Sequence, residues 1–368
     1  MDRRSFLKSS ALIPAAVGGA LGAGRPAFAA PSAWSDGTRW RSFEVITRVD
    51  ILKPQAETAV WLPMPLAAST DYYTSGARNW TGNMTEVQVM NGPGAGGSLL
   101  FARWDTSVEA PYIEFKAGFA ARDRAIDLSQ PGRGVELSPA ERAQYLKATE
   151  LIPNGGIVKA TAEKITQGRD TDVAKANAIY QWIVENCYRD AKVRGCGWGD
   201  IAAMLETGNL GGKCGDLNAL FVGLARSVGI PARDLYGVRV APSQWGYRSL
   251  SAADNVTRAQ HCRAEFFADG HGWVPVDPAD VRKVMLEEPP GNLSISHDKV
   301  ALAREKLFGA WEMNWLPFNY GHDVRLPQSR GAALPYLMYP AAETAGSRKD
   351  SLDPDSFRYS MRSRETTA

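Results

Sequence analysis

Residues 208–233 read GNLGGKCGDLNALFVGLARSVGIPAR, and the pattern of this segment determines the class of fold we expect. A glycine-rich loop comes first, and Cys214 follows it directly. Apolar residues then recur at the spacing of an amphipathic helix: Leu217, Leu220, Phe221, Leu224 and Val228. Gly229 and the Ile230-Pro231 pair that follows predict the end of this helix.

Cys214 therefore lies where a loop becomes a helix. A thiol at this position interacts with the helix dipole and the unpaired amides of the first turn, which lower its pKa and make it nucleophilic. The same amides are placed to stabilise an oxyanion on an attacked carbonyl. Taken alone, a single cysteine before a buried helix is more often a small core residue.

A histidine and an aspartate follow in two strand-like runs. Alternation in the run 261–267 (HCRAEFF) places His261 and Arg263 on one face, so Cys262 faces away as a core thiol. The next run, GWVPV, ends at Asp277. If the two strands are neighbours, the carboxylate of Asp277 can orient the imidazole, whose other nitrogen is then free for a thiol. Asp before Pro278 also predicts a turn, and both roles are compatible.

Other histidines and a zinc site are weaker candidates. His271 lies between glycines, which predicts an exposed turn. Zinc ligation by His261, Cys262 and His271 lacks the C-x-x-C or H-E-x-x-H spacing of zinc sites. His297 and His322 have no supporting context and are expected on the surface or in loops. We expect neither a metal nor an organic cofactor.

Three motifs together resemble the transglutaminase-like superfamily. GKCGDL (212–217), with RSVGIPAR (226–233), resembles its nucleophile segment, HCRAEF (261–266) its histidine strand, and GWVPVDP (272–278) its aspartate segment. They occur in the order of that superfamily and with similar spacing. The resemblance covers roughly residues 157–280.

This resemblance implies an α+β fold with a papain-like core, in which a helix that carries the cysteine packs on an antiparallel sheet. It also implies Cys214 as nucleophile, His261 as base and Asp277 as the residue that orients the base. Arg263 replaces the tryptophan usual in the superfamily, which affects the expected packing around the triad.

Superfamily members use an aromatic or polar side chain upstream of the cysteine as an oxyanion donor. Tyr188 and Trp198 are the candidates here. Aromatic residues at such positions are commonly core residues, so the backbone N–H of Cys214 is the stronger candidate.

After the first 29 residues, the sequence predicts three parts. Residues 38–128 alternate apolar and polar side chains in short runs, which predicts an N-terminal β-sandwich-like domain. Gly92, Gly94 and Gly97 fit G-x-G-x-x-G, but no helix follows them, which excludes a dinucleotide site. The catalytic domain is expected at 138–285. Residues 286–368 are expected to pack on it as an extension, with the last residues loose.

An aromatic cluster lies within this extension, at residues 311–323. We expect it to seal the edge of the catalytic sheet, although it could instead line a substrate cleft.

Residues 1–29 have the pattern of an export signal. Arg3-Arg4-Ser5-Phe6-Leu7-Lys8 resembles the twin-arginine motif, and Ala27-Phe28-Ala29 fits a signal-peptidase site. The apolar stretch between them is too short for a membrane anchor. Cleavage after Ala29 removes four of the 42 basic and one of the 40 acidic residues, so the net charge changes from +2 to −1. This balance argues against a nucleic-acid partner, and the signal predicts a periplasmic or secreted bacterial protein.

Together these features predict an exported cysteine enzyme that acts on amide bonds through a thioester acyl-enzyme. We expect hydrolysis of a protein, peptide or cell-wall peptide rather than cross-linking. The alternative is a catalytically silent module that binds a peptide or cell-wall partner in the same cleft. Among the four cysteines, Cys187 and Cys196 could form a disulfide in an oxidising compartment, and the sequence leaves this open.

Overall fold

The computed structural model describes residues 39–54, 56–94, 97–129, 136–355 and 357–366. The predicted export signal, residues 1–29, lies outside the described residues. Over the described ranges, no helix combines the length and the apolar character that crossing a membrane requires.

Strands and helices follow one another along the chain as follows. The strands are β1 (Arg41–Asp50), β2 (Thr58–Pro63), β3 (Tyr73–Gly82), β4 (Glu86–Asn91), β5 (Ser98–Trp104), β6 (Tyr112–Ala121), β7 (Arg124–Ala125), β8 (Tyr188–Arg189), β9 (Gly211–Gly212), β10 (Ala232–Arg239), β11 (Gln260–Ala268), β12 (Gly272–Val276), β13 (Ala310–Trp311), β14 (Trp315–Asn319), β15 (Ala341–Thr344), β16 (Ser347–Arg348) and β17 (Arg358–Thr366). The helices are α1 (Pro139–Leu146), α2 (Gly156–Thr166), α3 (Asp172–Asn186), α4 (Ile201–Thr207), α5 (Cys214–Ser227), α6 (Pro278–Glu287) and α7 (Asp298–Lys306).

Two sheets that face each other form a β-sandwich. Their strand orders are β17-β1-β6-β3 and β16-β15-β2-β5-β4. Phe43 of β1 lies opposite Phe119 of β6, and both are buried as the period-two pattern predicts. Val49 from one sheet and Trp104 from the other belong to the same apolar core, so the core of the sandwich lies between the sheets.

The C-terminal part of the chain returns to this sandwich. β15 pairs with β2, and β17 pairs antiparallel with β1. Arg358 lies opposite Asp50 at one end of this second pair, and Thr366 lies opposite Ser42 at the other. The prediction of loose last residues is therefore wrong for Arg358–Thr366. The segment is polar and buries little beyond Met361 and Ser363, so backbone pairing, which composition does not reveal, orders it.

The second layer is an antiparallel sheet with strand order β12-β11-β10-β14, and α5 packs against β10 and β11. The helix that the sequence predicts as amphipathic is buried on every side from Cys214 to Arg226. The reason is that α2, α3 and α6 cover its other faces. β14 forms the edge of the sheet next to β10, so the extension seals this edge as expected.

Side chains cap the starts of two helices. Ser138 and Glu141 form a capping box at α1, and Thr171 caps α3 through its side chain. The α+β fold class predicted from the sequence is confirmed.

Candidate active site

Cys214 is the first residue of α5, and a buried carboxylate holds the chain around it. The side chain of Asp216 accepts hydrogen bonds from the backbone N–H groups of Lys213, Trp198 and Gly199, each at 2.9 Å. The loop before α4 is thereby tied to the amino end of α5. The backbone N–H of Gly215 also donates to the carbonyl of Cys196 at 2.7 Å, so both sides of the cysteine are fixed.

This arrangement requires a glycine at position 197. Gly197 has φ +94°, and a Cβ there would lie 1.8 Å from Oδ2 of Asp216. We expect Gly197→Ala to lower the free energy of unfolding by more than the roughly 1–3 kcal/mol that backbone strain alone costs. Urea denaturation measures this free energy. Gly168→Ala is the matched control, because Gly168 has φ +72° with nothing within 4 Å of a Cβ. Equal losses in the two variants would contradict the steric role of Gly197.

His261 and Asp277 are brought together by neighbouring strands. Nε2 of His261 lies 2.7 Å from Oδ2 of Asp277, and both side chains are buried. Asp277 also caps α6, because its Oδ1 accepts from the backbone N–H of Asp280 at 3.0 Å. The amide of Asn218 on α5 donates to the same oxygen at 3.3 Å. Asp277 therefore serves as histidine partner and as helix cap at once.

A second carboxylate faces the imidazole, which sequence reasoning missed. Oδ2 of Asp280 lies 3.3 Å from Nε2 of His261, and Arg239 holds Asp280 with bonds of 3.0 and 2.8 Å. Burial lowers the pKa of His261, but Asp280 and Asp277 outweigh it and raise that pKa to about 10. Asp280 occurs one turn after Asp277 on α6, so an i,i+3 carboxylate after the aspartate motif was the available signal.

Three of the four cysteines meet at the site. The sulfur atoms of Cys196, Cys214 and Cys262 all lie within 4.8 Å of one another. The neighbouring thiols of Cys196 and Cys262, with a smaller contribution from His261, hold the pKa of Cys214 well below its usual value despite burial. The low pKa of Cys214 and the high pKa of His261 favour a thiolate–imidazolium pair at neutral pH.

All four cysteines are free thiols, so the disulfide between Cys187 and Cys196 left open by the sequence is not present. Cys262 is fully buried, as predicted for a core thiol, but its sulfur also reaches the cluster around Cys214.

The proposed oxyanion donors gain no support from geometry. The side chain of Trp198 is 65% exposed, and the hydroxyl of the exposed Tyr188 donates to Asn209 at 2.9 Å. Among the described contacts, none joins either side chain to Cys214, which is only 4% exposed.

Arg263 occupies the position of the expected tryptophan and is fully buried. Its guanidinium packs over the rings of Trp311 and Trp315, 5.4 and 4.8 Å from their centroids. Its Nε lies 3.7 Å from Oδ2 of Asp277. The indole of Trp315 donates to the backbone carbonyl of His261 at 3.0 Å. The aromatic cluster of the extension thus supports the histidine strand.

The remaining histidines lie apart from this group. His271 is half-buried in the turn between β11 and β12, and His297 caps α7. His322 is in a loop, as expected, but its side chain is buried, with Nε2 3.0 Å from Asp234 and Nδ1 3.2 Å from the hydroxyl of Tyr236.

An antiparallel sheet that presents a histidine–aspartate pair to a cysteine at a helix start defines a papain-like α+β protein. The model of the transglutaminase-like superfamily matches residues 159–278, which include all three of these side chains. The chain belongs to the transglutaminase-like superfamily.

Three comparisons with known proteins extend over most of the chain. An uncharacterised protein of Haemophilus influenzae is 35% identical over 336 residues, which cover 86% of this chain and 89% of that protein. The crystal structure of a proposed cysteine protease from Cytophaga hutchinsonii is similar with a TM-score of 0.56 at 13% identity, over 90% of this chain and 92% of the other. The periplasmic domain of TgpA from Pseudomonas aeruginosa matches 70% of this chain and 73% of its own, with a TM-score of 0.35 and 17% identity.

Proposed function

We propose that this protein is an exported cysteine hydrolase that cleaves amide bonds through a thioester on Cys214. The observation that carries the proposal is the buried 2.7 Å contact between His261 and Asp277 next to a cysteine at the start of a helix. Asp277 leaves Nδ1 of the imidazole available to the thiol. This is the arrangement that nucleophilic catalysis by cysteine requires.

The reaction would proceed in two steps. The thiolate of Cys214 attacks the carbonyl carbon of the substrate, the C–N bond breaks, and protonated His261 gives its proton to the leaving amine. Neutral His261 then takes a proton from water, whose oxygen attacks the thioester and releases the acid and the thiolate. The N–H of Cys214, at the positive end of α5, is our candidate donor to the oxyanion.

Hydrolysis is preferred here over cross-linking, and a protein, peptide or cell-wall peptide is the proposed substrate. The cysteine-protease description of the structural neighbour from Cytophaga hutchinsonii supports this choice. Export by the twin-arginine machinery and cleavage by signal peptidase are supported by the sequence of residues 1–29. We therefore place the mature protein in the periplasm or outside the cell.

The test is a reaction of the mature protein with a peptide mixture in H₂¹⁸O that contains a biotin-tagged primary amine. We expect new carboxyl groups that carry ¹⁸O, and an acid-quenched sample should contain a thioester on the tryptic peptide with Cys214. Cys214→Ala should abolish both products, whereas Cys187→Ala should retain them, because Cys187 lies outside the thiol cluster.

Each other outcome has a defined meaning. Incorporation of the tagged amine in place of ¹⁸O would make the protein a cross-linking enzyme. Cleavage that persists in Cys214→Ala would refute the nucleophile. Peptide retention without any thioester or product would favour the silent binding module.

A further inference from the structure

Four sulfur atoms from distant parts of the chain meet at the candidate active site, and one of them belongs to the proposed nucleophile. We call Cys196, Cys214, Cys262 and Met338 the sulfur cluster. The three thiol sulfurs lie within 4.8 Å of one another, and Sγ of Cys262 lies 4.0 Å from Sδ of Met338. None of the four side chains is more than 6% exposed. In the two-step reaction only the sulfur of Cys214 forms and breaks a bond, so the other three sulfurs remain available for a further role.

The cluster is held by the backbone of four separate elements. Cys196 lies in the loop before α4, Cys214 starts α5, Cys262 is in β11, and Met338 lies between β14 and β15. The thiol of Cys196 donates to the carbonyl of Gln260 at 3.4 Å. The amide of Asn319 donates to the carbonyl of Leu337 at 2.7 Å, next to Met338. The sulfurs are therefore positioned before any ligand arrives.

The distances suit a metal ion bound by three sulfurs. Metal–sulfur bonds of about 2.3 Å around a trigonal centre separate the ligand atoms by about 4 Å. Sulfurs that already lie within 4.8 Å of one another need only a small contraction to reach this geometry. Hard cations such as Mg²⁺ and Ca²⁺ require oxygen ligands, which this set does not supply.

The donor types favour one metal further. Three thiolates suit both Cu(I) and Zn(II), but a thioether as the fourth donor favours Cu(I), because zinc sites take cysteine, histidine or carboxylate ligands. We propose that Cys196, Cys214 and Cys262, with Met338 as a fourth sulfur, bind one Cu(I) ion. This site differs from the zinc set of His261, Cys262 and His271 that the sequence argued against.

Binding involves no electron transfer. The copper stays Cu(I), copper–sulfur bonds form, and the protons of the coordinating thiols pass to solvent. The amino end of α5 faces the negative charge that the thiolates bring. Cys196 and Cys214 are 6% and 4% exposed, whereas Cys262 is fully buried. The ion would therefore contact Cys196 and Cys214 before it reaches Cys262.

Copper in the cluster would block catalysis, since it occupies the lone pair with which Cys214 attacks. This consequence rests on the proposed function, whereas copper binding itself does not. A copper ion would thus act as a reversible inhibitor that chelation removes.

The experiment is an anaerobic titration of the reduced mature protein with Cu(I), in competition with the chromophoric chelator bathocuproine disulfonate. We expect one Cu(I) per chain. Cys262→Ser should lower the affinity at least about tenfold, the scale on which even outer partners of a metal site act. Met338→Leu, which conserves volume, should lower it by less. Cys187→Ser is the control, because its sulfur lies outside the cluster, and it should bind like the wild type.

Two further readouts separate the proposals. Far-UV circular dichroism and the urea midpoint check that each variant is folded. If Cys262→Ser does not fold, Met338→Leu is the variant that tests the site. Copper affinity unchanged in both variants, or displacement of the copper by equimolar Zn(II), would overturn the site. If wild-type protein binds copper but cleaves no peptide, the proposed hydrolysis fails and the copper site stands.

Discussion

Asp277→Asn is expected to lower peptide turnover by about 10²- to 10⁴-fold, the range in which loss of the orienting carboxylate acts in hydrolytic triads. An asparagine amide can donate to Nε2 of His261, which would place the ring proton on Nδ1 and turn the wrong tautomer toward Cys214. Asp280 lies 3.3 Å from the same nitrogen and can retain part of the orientation. This second carboxylate is why the range extends down to 10².

Asp277→Asn should preserve the start of helix α6, so a loss of turnover would report on the histidine and not on the fold. Asparagine caps helices about as well as aspartate, so α6 retains its cap. Asp200→Asn is the matched control, because Asp200 caps α4 through a 3.0 Å bond from the N–H of Ala203 and carries no histidine. Initial rates of ¹⁸O incorporation measure both variants. A loss in Asp277→Asn no greater than that in Asp200→Asn would assign Asp277 a structural role only.

Glu265→Gln is expected to destabilise the protein by about 3–5 kcal/mol at pH 7, the usual cost of removing one partner from a buried ion pair. Glu265 is fully buried and accepts from Arg124 and Arg233, each at 2.6 Å. A neutral amide in place of this carboxylate would leave the buried guanidinium of Arg124 and the 12% exposed guanidinium of Arg233 without their counter-charge. Urea unfolding at equilibrium measures the difference.

The difference in unfolding free energy between the wild type and Glu265→Gln should also depend on pH. Burial raises the pKa of Glu265, but Arg233 and Arg124 outweigh it and hold this pKa below its usual value. The stabilisation is therefore complete above the unfolded value of about 4.3 and is lost as pH falls through the lower folded value. The difference in unfolding free energy between the wild type and Glu265→Gln should therefore decrease only as pH falls from the unfolded pKa of Glu265 through its folded pKa.

A surface pair provides the comparison for this prediction. Asp50 pairs with Arg48 at 2.7 Å on the solvent side of β1, where both side chains are partly exposed. Asp50→Asn should cost less than about 1 kcal/mol, because water screens such pairs. Equal losses in the two variants would mean that Glu265 contributes no more than a surface charge.

Much of the catalytic core could be read from local patterns. The apolar spacing after Cys214 predicted α5, and the alternation from His261 predicted β11, since side-chain direction in helices and strands repeats over a few residues. Asp277 before a proline predicted a strand-end carboxylate and a turn; the carboxylate does follow β12, but the chain enters helix α6 there instead of a turn. These signals lie within the segments that form the elements, so no knowledge of distant residues was required.

Other parts of the site depend on residues far apart in the chain. Arg239 holds Asp280 across 41 positions, and the sulfur cluster joins the loop at Cys196 to Met338. Neither contact has a periodic signature, because only the packing of separate elements brings such side chains together. Whether Cys196 pairs with Cys187 could not be decided from the sequence for the same reason.

Local periodicity thus predicted α5 and β11, and the resemblance of three ordered motifs to the transglutaminase-like superfamily implied the α+β class and the candidate residues Cys214, His261 and Asp277. Tertiary structure alone decided that polar β17 pairs at the edge of the N-terminal sheet, that Arg263 packs over Trp311 and Trp315, and that four sulfurs meet. The physical reason is that these two kinds of feature depend on residues at different distances along the chain. Backbone conformation and side-chain direction repeat over neighbouring residues, whereas burial and pairing depend on which distant surfaces pack together.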